Sequence, residues 1–181
     1  MLTQLRRSIV LVVIFGVLLG LAYPAAEVAA ANTIFPFRSK GSITQYGSSL
    51  IGQDWTGTRW FHGRPDADNP LATGGTNLGP TSKQLVVFTK KMVAFWHSHG
   101  VNPTQELVTT SGSGIDPDIS PRSAYVQVPM VSRATGIAAV RLDNLIASQV
   151  HGRQYGILGE RYVDVLDLNL ALKRLEVTVR S

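Results

Sequence analysis

The chain has 181 residues, a length that suits one domain with an appendage. Hydrophobic residues make up 44% of the sequence and charged residues 16%, so part of the chain is expected to lie in lipid. The absence of cysteine excludes disulfides, thiolate metal sites and a cysteine nucleophile, and a net charge of +5 without a dense basic run argues against nucleic-acid binding.

The first element is the uncharged apolar run Ile9 to Ala26. As a helix it would span roughly 27 Å, close to the thickness of a bilayer's hydrocarbon core. Arg6 and Arg7 precede it, and the positive-inside rule keeps that end in the cytoplasm. With the small residues Ala29 to Ala31, the segment also fits a cleavable signal peptide, although its length favours an anchor. Both interpretations place the rest of the chain outside the cytoplasm.

Gly16 and Gly20 form a GxxxG step on this helix. Small residues at that spacing let a second helix approach closely in lipid, although glycine is also common in membrane helices. Pro24 could end the helix near the outer side of the membrane. The predicted organisation is a cytoplasmic N-terminus at residues 1–8, a transmembrane helix at 9–30, a connector at 31–47 and an extracytoplasmic domain at 48–181.

The domain is predicted to be α/β, a mixed α+β fold. Residues 48–55 and 59–65 are typical of short strands, and residues 66–82 form a long loop rich in turn formers. A helix follows from Ser82 to Gly100, with its apolar positions on one face: Leu85, Phe88, Met92 and Phe95.

Three further helical signals follow in the second half of the chain. Ser120 and Pro121 predict a capped helix start, and Pro129 should kink or end that helix. Residues 136–152 predict a helix, and residues 161–175 a strand or, from Asp164, a short helix. The predicted core residues of these two segments are Ile137, Val140, Leu145, Ile146, Leu166, Leu170 and Leu172.

The stretch LVTTSGSGIDPDISP, residues 107–121, leaves three interpretations open. Its glycines lack the lysine of a phosphate-binding P-loop, but its amides could still contact a nucleotide. Ser111 or Ser113 could serve a hydrolase together with a histidine, although the G-x-S-x-G spacing is absent. The favoured interpretation is a turn with demanding backbone conformations that leads into a capped helix.

Polar residues near this stretch carry weaker signals. His97 and His99 are two apart and cannot share a metal on one helix face, and Asp116 and Asp118 fit turn formers better than cation ligands. No metal site is therefore predicted. Arg64 could clamp a carboxylate or phosphate, but an arginine that ties its loop to backbone carbonyls is favoured.

Five motifs in order resemble one known family. LIGQDW, WFHGRPDA, NPLATGGTNLGPTS, ELVTTSGSGIDPDISP and VDVLDLNLAL are similar to the motifs of the C subunit (KdpC) of the Kdp potassium-transporting ATPase. The resemblance covers nearly the whole chain, to about Leu172, and the tail KRLEVTVRS extends past the usual end.

The resemblance implies an accessory subunit, with no catalytic residues of its own, in a bacterial plasma-membrane complex that imports potassium using ATP. Its implied partners are a channel-like subunit, a P-type ATPase subunit and a small single-helix subunit, besides membrane lipid. The implied role is to hold the complex together and, as a catalytic chaperone, to raise the ATP affinity of the ATPase subunit. An outer domain cannot meet cytosolic ATP, so we expect that effect to be indirect.

The residues expected to contact partners, or a nucleotide, fall in three loops, with Gly16 and Gly20 as the partner-helix contact. The loop residues are His62, Gly63, Arg64, Pro65, Gly74, Gly75, Asn77, Gly79, Thr110, Ser111, Gly112, Ser113, Gly114, Asp116, Pro117, Ser120 and Pro121.

Overall fold

The structure, a computed structural model, describes residues 1–65 and 73–180, with the side chains of the last two of these left aside. Residues 66–72 of the predicted loop at 66–82 therefore lie outside the described residues. The chain divides into two compact units, Met1–Ser48 and the part from Ser49 on.

The first unit is dominated by one continuous helix. It comprises α1 (Leu2–Val17), a π-helical turn (Leu18–Ala22) and α2 (Tyr23–Ile34). The helix is long and apolar enough to cross a membrane, with a mean hydropathy of 2.5 in its most apolar window, and none of that window is buried. Its apolar side chains therefore have no protein core of their own to pack into.

The prediction that Pro24 ends this helix is wrong, because the helix continues to Ile34. Proline lacks an amide hydrogen and clashes with the carbonyl four residues back. The π-helical turn immediately before Tyr23 widens the helix at that point, which lets the proline enter at the start of α2. Beyond it lie α3 (Pro36–Ser39) and an antiparallel pair of short strands, β1 (Ile43–Thr44) and β2 (Gly47–Ser48).

The second unit is mainly helical, with one small sheet. Its elements are α4 (Lys83–Ser98), a 3₁₀ turn (Gln105–Leu107), β3 (Asp118–Ile119), α5 (Pro121–Tyr125), α6 (Val128–Thr135), α7 (Ala139–Gln149), β4 (Val163–Asp164) and α8 (Val165–Arg180). Strands β3 and β4 pair antiparallel, with Asp118 opposite Asp164 and Ile119 opposite Val163. The mixed α+β prediction is confirmed in this coarse sense.

The two strands predicted at 48–55 and 59–65 are wrong. Of the first range only Ser48 lies in a strand, at the end of β2, and residues 49–65 form no strand. Side chains, rather than a neighbouring strand, satisfy part of this backbone: Asn169 bonds both the amide and the carbonyl of Phe61 at 2.9 and 2.8 Å. A segment with a strand-like sequence does not need a strand partner when a buried side-chain amide, such as that of Asn169, bonds its backbone.

The helix boundaries follow the local signals. Ser120 caps α5 by accepting a hydrogen bond from the Ser123 amide, and Pro129 lies in the first turn of α6 after a break from α5. Helix α4 starts directly after Ser82, although the Ser82 hydroxyl makes no capping bond. Of the side chains in α4, only that of Trp96 is buried. On the predicted apolar face, Leu85, Phe88 and Met92 are partly buried and Phe95 is 39% exposed.

Helix α7 packs against α5, α6 and α8, and the core lies around it. Ile137 and Ile146 are buried as predicted, but Val140 is 69% exposed and its assignment to the core is wrong. Leu142 takes its place with no exposed surface, because residues four apart, such as Leu142 and Ile146, share a helix face, whereas Val140 does not.

Candidate functional site

Three irregular segments of the second unit meet at one place. They are the tryptophan loop (residues 49–65), the glycine loop (73–82) and the serine loop (107–121). The Gly52 amide donates to the Ile115 carbonyl at 2.7 Å, and the Gly74 amide donates to the Ser113 carbonyl at 2.6 Å. The serine loop is thus held between the other two by backbone hydrogen bonds.

Two of these contacts need glycine. A Cβ atom on Gly52 would lie 3.0 Å from the Asp116 carbonyl oxygen, and one on Gly75 would lie 3.1 Å from the Gly112 carbonyl oxygen. Backbone has little freedom to withdraw from such a contact, so the absence of a side chain is what lets the loops approach this closely.

Arg64 reinforces the same junction. Its Nη2 donates to the Thr110 carbonyl at 2.8 Å, and its Nη1 lies 4.0 Å from a carboxylate oxygen of Asp116. The structure therefore places Arg64 on the serine loop's backbone, which is the favoured of its two sequence interpretations. Its Nε is buried and has no hydrogen-bond partner among the described residues.

The serines of the serine loop bond within the loop. Ser111 Oγ accepts from the Gly114 amide at 2.8 Å, Ser113 Oγ accepts from the Ile115 amide at 3.3 Å, and the two hydroxyls lie 3.2 Å apart. Ser111 is only 7% exposed. These hydroxyls and amides already have partners, which disfavours both a serine nucleophile and a phosphate cradle.

His62 is fixed by its backbone as well as its ring. The buried side-chain amide of Gln127 bonds the His62 amide at 2.8 Å and its carbonyl at 3.0 Å. The ring lies 3.0 Å from the Gly57 carbonyl and edge-on to Trp96. Burial is the main cause that lowers the pKa of His62, so the ring is neutral at physiological pH.

Glu106 organises the far end of the serine loop. Its carboxylate accepts hydrogen bonds from the amide and hydroxyl of Ser120, at 2.9 and 2.8 Å, and from the hydroxyl of Ser123 at 2.6 Å. Burial raises the pKa of Glu106, but these hydrogen bonds outweigh it and leave the pKa below its usual value. The carboxylate thus stays charged and completes the cap of α5.

Glu106, Gln127 and Asn169 are residues that the sequence interpretation missed. A capping box would carry Glu or Gln at position 123, where this chain has Ser123, and Glu106 supplies the carboxylate from another segment. The missing Glu or Gln at position 123 is the sequence signal that could have indicated an acidic residue from another segment.

The small sheet brings two carboxylates together. Asp118 lies opposite Asp164, and burial together with the charges of Asp164 and Asp116 raises the pKa of Asp118 to about 6. Burial also raises the pKa of Asp164, whose carboxylate accepts from the Asp167 amide at 2.9 Å. Within residues 1–65 and 73–180, no group of three His, Asp or Glu side chains is placed to hold a metal ion.

A cavity of about 360 Å³ opens beside the loop junction. Its lining includes Trp55, His62, Arg64, Met92, Phe95 and Trp96. Trp55 Nε1 is buried without a partner among the described residues, as is the Nε of Arg64. The lining of the cavity is therefore largely aromatic, and two of its residues carry a buried nitrogen without a partner.

The remaining predicted residues lie around the junction or apart from it. The Pro117 carbonyl accepts from the Val165 amide at 3.1 Å, which ties the serine loop to α8, and Gly63 packs near the Val165 side chain. Asn77 has a positive φ of 54°, and the Gly79 carbonyl accepts from Ser82 just before α4. Gly16 and Gly20 belong to the first unit.

Comparison with known proteins identifies the class as subunits of a potassium-transporting ATPase. The family model described as "KdpC: K+-transporting ATPase, c chain" matches residues 5–174. The chain is 43% identical to the "Potassium-transporting ATPase KdpC subunit" of Methylobacterium nodulans, over 97% of this chain and 98% of the relative. Proteins of the same name from Bradyrhizobium diazoefficiens and Rhodopseudomonas palustris are 41% and 42% identical, over 96% and 95% of this chain and 98% of each relative.

The chain therefore belongs to the KdpC family, and the resemblance seen in its five motifs is confirmed. It is an accessory subunit of the potassium-transporting ATPase complex rather than the catalytic one. The family match ends at residue 174, whereas α8 continues to Arg180.

Proposed function

We propose that this chain stabilises assembly of the complex and acts as a catalytic chaperone that raises the ATP affinity of the P-type ATPase subunit. Its partners would be that subunit, the channel-like subunit and a small single-helix subunit, in the bacterial plasma membrane. Potassium is the transported ion of the complex, and ATP acts through the ATPase subunit. The observation that carries the proposal is the junction of three loops, whose shared hydrogen bonds make a preformed docking face.

The membrane helix supports an anchored, N-in topology. Arg6 and Arg7 lie before the apolar run, where the positive-inside rule places them in the cytoplasm. The domain from Ser49 on would then be extracytoplasmic. A Cβ atom on Gly16 or Gly20 would meet nothing within 4 Å, so this strip of the helix is open to a partner helix.

The loop junction supports docking rather than chemistry. Backbone bonds, close glycine contacts and Arg64 hold the serine loop before any partner arrives. A preformed face loses less conformational entropy on binding than a flexible one. The residues of the three loops are accordingly proposed as partner contacts.

An effect on ATP affinity would be indirect. Two amides of the serine loop, those of Gly114 and Ile115, already bond the loop's own hydroxyls. The chain would instead favour one conformation of the complex, because it binds that conformation more tightly than the alternative. A serine hydrolase and a nucleotide-binding module are the competing functions, and the same internal hydrogen bonds count against both.

The proposal is tested by isolating the complex through a tag on the ATPase subunit. This chain should co-purify, and its removal should raise the apparent KM for ATP. Replacing Gly16 and Gly20 with leucine should lower co-purification, whereas Ala22→Leu, a small-to-large change on another face of the same helix, should not. A reporter enzyme that is active only in the cytoplasm should be inactive when it is fused to the C-terminus.

Three results would contradict the proposal. Wild-type chain that fails to co-purify would remove the assembly role. An unchanged KM for ATP would remove the chaperone role. Cytoplasmic activity of the C-terminal reporter would reverse the topology and restore direct nucleotide binding as the leading alternative.

A further inference from the structure

Residues 151–162 form a hairpin whose tip is apolar and open to solvent. His151 and Tyr162 exchange two backbone hydrogen bonds at its base, at 2.8 and 3.2 Å, and Gln154 and Leu158 exchange two near its tip, at 2.8 and 2.9 Å. The rings of His151 and Tyr162 stack with centroids 4.8 Å apart. The hairpin is therefore well bonded along its length, although it lies at the surface.

Three large side chains at the tip have little cover. Tyr155 is 85% exposed, Ile157 76% and Leu158 55%. Single exposed apolar residues are common on protein surfaces, but three contiguous ones on one rigid projection form a patch. Such a patch on a subunit of a complex marks an interaction surface.

The turn itself is built at a conformational cost. Tyr155 and Gly156 are its central residues, and both have positive φ, at 55° and 80°. Turns with two positive φ angles normally carry Asn, Asp or Gly at the first of these positions. A tyrosine there is strained, and strain kept in an exposed turn is typical of a position that serves binding.

We infer that this tip inserts into an apolar recess with an acidic rim on another chain of the same ATPase. The acidic rim follows from charge: Arg153 and Arg161 flank the tip against one acid, Glu160, which leaves a net charge of +1. Glu160 lies 3.6 Å from Arg153, and within the described part of the chain Arg161 forms no ion pair. The inference rests on the proposed role in assembly and adds a second contact, separate from the loop junction.

A lipid surface is the other environment that takes an apolar tip, and the hairpin suits it less well. Recognition of anionic headgroups by charge uses clusters of roughly four to eight Lys or Arg, whereas the hairpin has Arg161 and an Arg153 that is paired with Glu160. The chain also carries a helix of membrane-spanning length, so a second lipid anchor would add little. A rigid, bonded turn matches a shaped protein recess.

The chain's lack of cysteine allows a direct test. Ile157→Cys is compared with Val140→Cys, a similarly exposed apolar position on α7 (69% against 76%). Each full-length variant is reacted with a water-soluble maleimide, both as the isolated chain in detergent and within the complex purified through the ATPase subunit. Labelling of Ile157→Cys should be at least about tenfold slower in the complex, as for a side chain buried at an interface centre, while Val140→Cys should react equally in both.

Other outcomes separate this inference from the proposed function. Equal labelling of Ile157→Cys in both states, in a complex that still contains the chain, overturns the inference and leaves the assembly role standing. Protection of the isolated chain in vesicles of phosphatidylethanolamine and phosphatidylglycerol, lost in detergent, assigns the tip to lipid and also overturns it. A chain that never joins the complex removes the assembly role itself.

A second variant guards against indirect effects. Ile157→Asp should lower co-purification several-fold, and Val140→Asp should not. Because Ile157 is mostly exposed, Ile157→Asp should keep the unfolding temperature of the wild type. A lower unfolding temperature of the isolated variant would reveal a loss of fold. Full co-purification of Ile157→Asp would contradict the inference.

Discussion

The serine loop and the 151–162 hairpin are both turns with glycine, yet they use their groups in opposite ways. The serine loop bonds its hydroxyls to its own amides and directs backbone carbonyls toward neighbouring segments, where they accept from Gly52 and Gly74. The hairpin bonds its backbone internally and presents Tyr155, Ile157 and Leu158 to solvent. A sequence rich in glycine and serine attracts attention first, but here it forms a junction, while the plainer hairpin presents the open surface.

The largest expected effect is on the junction, through Glu106. Glu106→Ala leaves three donors of Ser120 and Ser123 without their acceptor and should cost about 3 kcal/mol in free energy of unfolding. All three tryptophans lie in the second unit, so their fluorescence during denaturation of the full chain in detergent measures it. Glu160→Ala in the hairpin should leave the unfolding midpoint unchanged. An equal loss of stability in both variants would show that the junction and the hairpin do not differ in this respect.

The close contact at Gly52 should give the next effect. Gly52→Ala brings a Cβ to 3.0 Å from the Asp116 carbonyl and should cost about 1–2 kcal/mol, because the backbone must shift. Gly112→Ala is the matched control in the serine loop, since a Cβ there meets nothing within 4 Å. The same denaturation experiment checks both variants, and equal stability of the two would show that the junction tolerates separation.

The carboxylate pair of the small sheet predicts a pH effect of about 1 kcal/mol. The pKa of Asp118 is raised from its ordinary value to about 6, so its charged form is disfavoured in the folded state. The contribution of Asp118 to stability should therefore fall as pH rises from about 4 through 6, and Asp118→Asn should stabilise the chain by about 1 kcal/mol at pH 7.5, after allowance for solvent screening.

Thermal unfolding of the wild type and of Asp118→Asn between pH 4 and 8 measures this slope. Asp143→Asn, on α7, serves as the carboxylate control and should keep the slope of the wild type. The lowered pKa values of His62 and Glu106 act in the opposite direction in both proteins, so the test is the stability of the wild type relative to Asp118→Asn. A difference that does not fall between pH 4 and 8 would contradict the assignment of a raised pKa to Asp118.

The smallest expected effect has opposite signs for stability and assembly. Tyr155→Asn replaces a strained residue at positive φ by one that tolerates it, and should stabilise the chain by about 0.5–1 kcal/mol. The same change removes an apolar side chain from the tip and should lower co-purification with the ATPase subunit. Tyr155→Phe keeps both the strain and the apolar body, so it should alter neither quantity, and a destabilised Tyr155→Asn would refute the strain argument.

Local signals allowed much of the second half of the chain to be predicted. Ser120 with Pro121, and Pro129, set helix starts through interactions with their own neighbours, and the structure keeps them. Strands were not predictable in this way, because the β3–β4 pair joins residues such as Asp118 and Asp164 that lie far apart in sequence. The prediction for Pro24 was wrong for a related reason. A π-helical turn accommodates the proline, and helix propensity alone does not reveal such a turn.

The candidate site was predictable as segments but not as contacts. The positions of the glycine- and serine-rich stretches could be read from composition. The partners that hold them could not: Glu106, Gln127 and Asn169 act on residues 14, 65 and 108 positions away. Nothing within a short window of sequence distinguishes such a buried polar residue from one at the surface.

Helix α8 has a consequence for the order of events in the cell. Asn169 holds the backbone of Phe61, and Glu176 lies 2.7 Å from Arg59, so the last helix of the chain fixes a segment made more than a hundred residues earlier. The tryptophan loop stays without these partners until residues 169–176 have been synthesised. A chain truncated before Asn169 would therefore keep its leading helix but lack the side chains that hold Phe61 and Arg59 in place.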